Sequence, residues 1–166
     1  MTKSQPANAD DLARLWEKIQ SIRFAMLTSQ DGGILRSRPM AASQSGFDGT
    51  LWFFTHASAH KVAEVEQDRR VNVSYADPDN QTYVSLSGIA SLDQSRESID
   101  RHWSQAVARW FPKGKDDPDI ALLRVDVEVA EYWDAPASGM VRAWEYTKSA
   151  VTGSTPSMGT NVKLAL

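Results

Sequence analysis

Phe24-Ala25-Met26-Leu27-Thr28-Ser29-Gln30-Asp31-Gly32-Gly33-Ile34-Leu35-Arg36-Ser37-Arg38-Pro39-Met40 is an apolar run, a turn and a return. Phe24 to Ser29 suits a strand. Asp31-Gly32-Gly33 is a tight-turn signal, so Ile34 to Ala42 is expected to come back antiparallel to it. After Gly46-Phe47-Asp48-Gly49 the chain enters Leu51-Trp52-Phe53-Phe54-Thr55, a third strand. No helical segment separates these three, which argues against a parallel βαβ architecture and for an antiparallel sheet.

The pattern extends in both directions. Upstream, Asn8 or Asp10 is placed to cap a helix carrying Leu12, Leu15, Trp16, Ile19 and Ile22 on one stripe. Downstream, Ala59 to Asp68 reads as a short helix and Arg70 to Tyr75 as a fourth strand. Asp77-Pro78-Asp79-Asn80 has turn chemistry. Thr82 to Leu92 alternates, with Val84, Leu86, Gly88 and Ala90 on one face, and Gly88 marks a bulge or a close backbone approach. Asp93 to Trp110 turns helical. Leu123, Val125, Val127, Val129 and Trp133 then alternate with charged residues in the cleanest strand of the chain. A last short strand is expected over Met140 to Tyr146. Six or seven strands with few helices predict a closed or nearly closed antiparallel barrel. The domain is expected to span residues 11–146, after a flexible N-terminus (1–10) and before a mobile tail (147–166) rich in Ser, Thr and Gly.

Composition sets bounds on function. The 166 residues are 42% hydrophobic and 23% charged, with a net charge of −3, so a single globular domain is expected and a broad nucleic-acid-binding surface is not. The absence of cysteine removes disulfides, thiolate metal sites and cysteine nucleophiles. No apolar run approaches the roughly 20 residues needed to cross a bilayer, and the polar N-terminus does not resemble a signal peptide. A cytoplasmic protein without a membrane partner is the expectation.

Two segments can carry chemistry. On the second strand, Arg36, Arg38 and Met40 share one face while Ser37 and Pro39 share the other. Paired guanidinium groups suit phosphate or carboxylate, although a charged edge strand explains this segment alone at least as well. The second segment is Phe54-Thr55-His56-Ala57-Ser58-Ala59-His60-Lys61, which ends a strand and opens a helix. Its hydroxyls, expected free amides and lysine make a phosphate cradle. Together the two segments favour a phosphorylated ligand.

Arg36-Ser37-Arg38-Pro39-Met40, then Leu51 to Thr55, Ser58 and Lys61, resembles the pyridoxamine-5′-phosphate-oxidase-like FMN-binding split barrels, in particular their general stress protein branch. Glu131-Tyr132-Trp133-Asp134 and the stretch from Trp144 to Gly153 suit that branch too. The resemblance implies a mainly β (α+β) fold, an antiparallel six-stranded split β-barrel with flanking helices, and a homodimer with FMN at the subunit interface. It places Arg36 and Lys61 on the flavin phosphate, helped by Thr55 and Ser58. It runs the Ser37 to Met40 backbone, through Arg38 and Pro39, beside the isoalloxazine ring, with Phe54 and Thr55 at the ring's pyrimidine side. Ser85 and Trp133 would approach from the partner subunit, and His60 would touch phosphate when protonated. The substrate-binding C-terminal segment of true pyridoxamine-phosphate oxidases has no counterpart, so that reaction is not expected.

Three functions remain open on this reading. One is an FMN-dependent oxidoreductase, with a reduced nicotinamide as a candidate donor. Another is a flavin-sequestering stress protein without turnover. A split barrel holding haem or a deazaflavin is the third. His56 and His60 have the spacing of a helical metal pair but no evident third ligand, and a metal site is not expected.

Overall fold

The computed structural model describes residues 5–134 and 159–166. Its elements run β1 (Gln5–Pro6), α1 (Ala9–Ile19), β2 (Ala25–Asp31), β3 (Ile34–Met40), β4 (Thr50–His56), α2 (His60–Gln67), β5 (Arg70–Asp77), β6 (Thr82–Asp93), α3 (Arg96–His102), α4 (Gln105–Ala108), β7 (Ile120–Asp134) and β8 (Thr160–Ala165). The cap of α1 is Asn8. Its side chain accepts from the Asp11 amide at 3.0 Å while the Asp11 carboxylate accepts from the Asn8 amide at 3.1 Å, a reciprocal capping box. The helical run expected from Asp93 to Trp110 breaks in two, because Ser104 caps α4 instead of continuing α3.

The sheet order is β1-β8-β7-β6-β5-β2-β3, with β4 on the free edge of β7. Six strands, β3-β2-β5-β6-β7-β4, wrap round the core, and the last gap is crossed by one bridge, Ala42 to Phe53, with the Ser43 amide donating to the Trp52 carbonyl at 2.9 Å. The sheet is therefore a barrel left open, closed by a single bridge rather than a ladder. β7 makes this possible by its length. One edge pairs with β6, while the other pairs with β4 over its first half and β8 over its second.

The β6–β7 ladder carries one irregularity, and it changes which residues face the core. Ser87 pairs with Val129 and Gly88 with Val127, so Glu128 is an extra residue. A side chain at position 88 would collide with β7, since a Cβ there would lie 2.1 Å from the Asp126 carbonyl oxygen. The bulge flips the parity of β7. Leu123, Val125 and Val127 are buried before it, and Ala130 and Tyr132 after it. The uninterrupted alternation expected through Val129 to Trp133 is thus corrected: Trp133 faces outward.

The main core gathers Leu15 and Ile19 of α1 with Leu27, Leu51, Phe53, Val73, Leu86, Leu123 and Leu164 from the strands. A smaller cluster, Ile99, Phe111, Ile120 and Leu122 with Trp52, Phe54, Trp103 and Val107, seats α3 and α4 on β4 and β7. Residues at both ends of the chain join the sheet. Gln5–Pro6 pairs with β8, and Leu164 of β8 is fully buried. The flexible N-terminus read for residues 1–10 and the mobile tail read from Thr147 thus include ordered strands at Gln5–Pro6 and Thr160–Ala165. The strand expected at Met140 to Tyr146 and the stretch from Trp144 to Gly153 lie outside the described residues. Among the described residues no helix is long and apolar enough to cross a membrane.

Candidate functional site

A cavity of about 640 Å³ opens where the barrel gap meets α1 and the α4 segment, a size suited to a small organic ligand. One wall is the C-terminal end of α1 and the residues after it, from Trp16 to Phe24. A second wall is the end of β3 with its continuation, Pro39 to Gln44. The end of β4 (Phe54, Thr55, His56), Lys61 and Tyr75 form the floor, and Ser104 to Phe111, with the exposed Trp110, form the far side. Among the described residues no carboxylate lines it. Lys61 and Arg23 are its lining cations, with His56 beside them. A lining with Lys61 and Arg23 and, among the described residues, no carboxylate favours an anionic ligand.

Lys61 is half-buried. Burial and then the nearby Arg38 charge push its ammonium below the usual lysine range, partly opposed by Glu64. An anionic group brought to it would favour the ammonium, adding to the partial support from Glu64.

The sequence-predicted residues divide between this cavity and a charged network beside it. Pro39, Met40, Phe54, Thr55 and Lys61 line the cavity. Arg38 instead turns toward α2, where its guanidinium donates to Glu64 at 2.6 Å and to Ser29. Glu64 is buried. Burial opposes its ionisation, but the hydrogen bond from Ser29 and the charge of Arg38 outweigh that and hold its carboxyl below the usual range. Arg36 reaches the hairpin turn and pairs with Asp31 at 3.0 Å, and His60 lies 3.1 Å from the same carboxylate oxygen. His60 also lies 3.5 Å from Glu64. The ligand atoms of Asp31, His60 and Glu64 lie within 4.8 Å of one another, but Arg36 and Arg38 already pair with both carboxylates.

The expected cradle of free amides is largely taken. Asp119 accepts from the Ser58 amide at 2.9 Å and from the Ser58 hydroxyl at 2.7 Å. The Ala57 amide donates to the Asp119 carbonyl and the Ala59 amide to the His56 carbonyl. Ser37 shares a hydrogen bond with Thr28 on the outer face of β3.

Ser85 and Trp133 lie on the outer face of the sheet, away from the cavity. The Ser85 hydroxyl accepts from Asn72 at 2.8 Å. Trp133 is 39% exposed and stands opposite the similarly exposed Tyr83. A single row crosses four strands here, Pro39, Met26, Ser74 and Ser85, so one wall of the cavity and the outer face share an edge at Pro39.

Sequence reading missed Tyr75, Arg23, Trp16 and Trp110 as cavity residues. Tyr75 alternates with Val71 and Val73 and reads as core, which it also is. Arg23 follows a helix with no motif around it, and only the fold brings it into the same cavity lining as Lys61.

An open antiparallel barrel with a cavity at its gap, lined by Lys61 and Arg23, defines a split-barrel protein. The sequence profile of the Pyridoxamine 5′-phosphate oxidase like family matches residues 10–157, and the chain belongs to that family. It is similar to protein bli-3 of Neurospora crassa, 26% identical over 165 residues that cover 89% of this chain and 79% of that protein. It also matches general stress protein 26 of Bacillus subtilis, with 29% identity over 64% of this chain and 76% of that one. Among solved structures, the general stress FMN/FAD binding protein of Xanthomonas citri superposes with a TM-score of 0.68. That protein is 33% identical, and the match covers 79% of this chain and 93% of that one.

Proposed function

We propose that this protein is an FMN-binding protein of the general stress type, acting as a flavin-dependent oxidoreductase from a homodimer. The observation that carries the reading is the cavity whose described lining holds no carboxylate and in which a half-buried Lys61 shares the wall with Thr55, Pro39 and Met40. Lys61 would hold the phosphate, with Arg38 adding field rather than contact because Glu64 and Ser29 already take its guanidinium. Pro39 and Met40 would lie along the ring, and Phe54 would pack at its edge. Both similarity to general stress protein 26 and similarity to a protein described as binding FMN or FAD support the cofactor class. Bound FMN would supply hydride and single-electron transfer. The chain's own part is to fix the ring, exclude water and place positive charge beside it, and a reduced nicotinamide is the proposed donor.

The dimer reading rests on orientation. Ser85 and Trp133 face away from their own cavity, so the flavin roles proposed for them would require a second copy. Trp133, Tyr83 and Met26 leave an exposed apolar surface on that face, the kind of patch that marks an interface.

The test is the visible spectrum of the purified protein before and after adding FMN and desalting. Retained bands near roughly 370 and 450 nm are expected of a bound oxidised flavin, together with a dimer mass by light scattering. A colourless protein after reconstitution removes the flavin reading. A monomer removes the partner roles of Ser85 and Trp133. Turnover of reduced nicotinamide no faster than with free FMN leaves binding without catalysis.

A further inference from the structure

Among the described residues, Tyr75 is the one buried side-chain polar group in the cavity wall that finds no partner. Its residue is 3% exposed, and its hydroxyl has no hydrogen-bond partner among the described residues. An isolated buried hydroxyl costs stability, and folded proteins rarely leave one orphaned without a use for it. β5 holds Tyr75 opposite Val84, and the residue lines the same cavity as Lys61, its hydroxyl covered in this structure.

We infer that Tyr75 is a ligand-positioning residue, its hydroxyl donating a hydrogen bond to a neutral acceptor on the heterocyclic ring of the bound flavin. This inference rests on the flavin reading above and assigns the ring end of that site. The phenol is a donor at any working pH, because burial pushes it well above the usual tyrosine range. Its neighbours decide which end of the ligand it meets. Ile19 and Met40 share both the cavity wall and the core with Tyr75, so its surroundings are apolar and suit a flat ring with few acceptors. A phosphate would instead seek the charged donors Lys61 and Arg23. The hydroxyl therefore anchors the ring carbonyls or ring nitrogens while Lys61 anchors the phosphate.

The experiment is to titrate FMN and riboflavin against the wild type, Tyr75→Phe and Lys61→Ala by fluorescence, and to melt each ligand-free protein. Tyr75→Phe is expected to weaken FMN and riboflavin alike, by roughly fivefold to tenfold for one neutral hydrogen bond. Its ligand-free melting temperature is expected to stay level or rise, since the variant deletes an unpartnered group. Lys61→Ala is expected to weaken FMN only. Unchanged affinity of Tyr75→Phe for both ligands overturns the inference and leaves the flavin reading standing. So does a loss confined to FMN, which would move the hydroxyl to the phosphate. A lowered melting temperature without ligand also overturns it, since the hydroxyl would then serve the fold. A wild type that binds neither flavin ends the flavin reading itself, and the ring assignment falls with it.

Discussion

Two sets of charged and polar groups lie side by side at the end of β3, and they are built on opposite principles. In the network of Ser29, Asp31, Arg36, Arg38, His60 and Glu64, the arginines face carboxylates: Arg38 meets Glu64 and Arg36 meets Asp31, which His60 also contacts. In the cavity, Lys61, Arg23 and the Tyr75 hydroxyl face a wall that holds no carboxylate among the described residues. Groups that neutralise one another hold elements together, while groups left without a counterpart await one from outside. The hairpin β2–β3 is thereby tied to α2 by charge, and that tie holds one wall of the cavity in place.

The largest expected effect tests the structural half of this contrast. Glu64→Ala leaves the Arg38 guanidinium, only 19% exposed, without its carboxylate, and should cost about 3 kcal/mol in urea unfolding. Acid should do the same to the wild type. Since the Glu64 carboxyl is held below its usual range in the folded state, its contribution is complete above the ordinary glutamate value. It is lost as pH falls through the lowered one. Melting temperature against pH should therefore drop on the acid side more steeply in the wild type than in Glu64→Gln. If the two profiles coincide and Glu64→Ala costs under about 1 kcal/mol, the network is not what holds the hairpin to α2.

Much of the barrel is legible in the sequence, because alternation and turn chemistry act locally. The DGG turn fixes the pairing of β2 with β3, and Val84, Leu86, Gly88 and Ala90 are buried on one face as their spacing requires. The failures have one cause. Glu128 is one residue among alternating ones, and only its pairing with β6 shows it to be surplus, so Trp133 changes face unannounced. β8 pairs with a strand roughly thirty positions upstream in the chain, beyond any local pattern. The site shows the same limit. Arg36, Arg38, Ser58, His60 and Lys61 form one cationic and hydroxyl-rich motif in sequence, yet which of them is neutralised depends on Asp31, Glu64 and Asp119, brought in by the fold.

The intermediate effect tests the ligand half. Lys61→Ala removes the cation that the cavity leaves without a lining carboxylate, and should weaken FMN binding by about 1.5–3 kcal/mol for a charged hydrogen bond. Riboflavin, without a phosphate, should bind as before. The ligand-free protein should be as stable as the wild type or slightly more so, because burial and the Arg38 charge already disfavour the ammonium. Equal losses for FMN and riboflavin would place the phosphate elsewhere, and a large loss of ligand-free stability would move Lys61 to the structural group.

The smallest expected effect is the sharpest discriminator, because it separates two residues that the family resemblance assigned to the same task. Arg36 is more than half exposed and already engaged by Asp31, and it does not line the cavity. To reach a phosphate there it would have to leave a carboxylate that it shares with His60. Arg36→Ala should therefore change FMN affinity by no more than about twofold, the scale of an exposed ion pair, against the tenfold or greater loss for Lys61→Ala. Such a gap in fluorescence titration at fixed salt would show that pairing within the fold, not charge along the strand, selects the phosphate ligand. Matching losses would mean that Arg36 abandons Asp31 when FMN arrives, and the hairpin turn would then belong to the binding site.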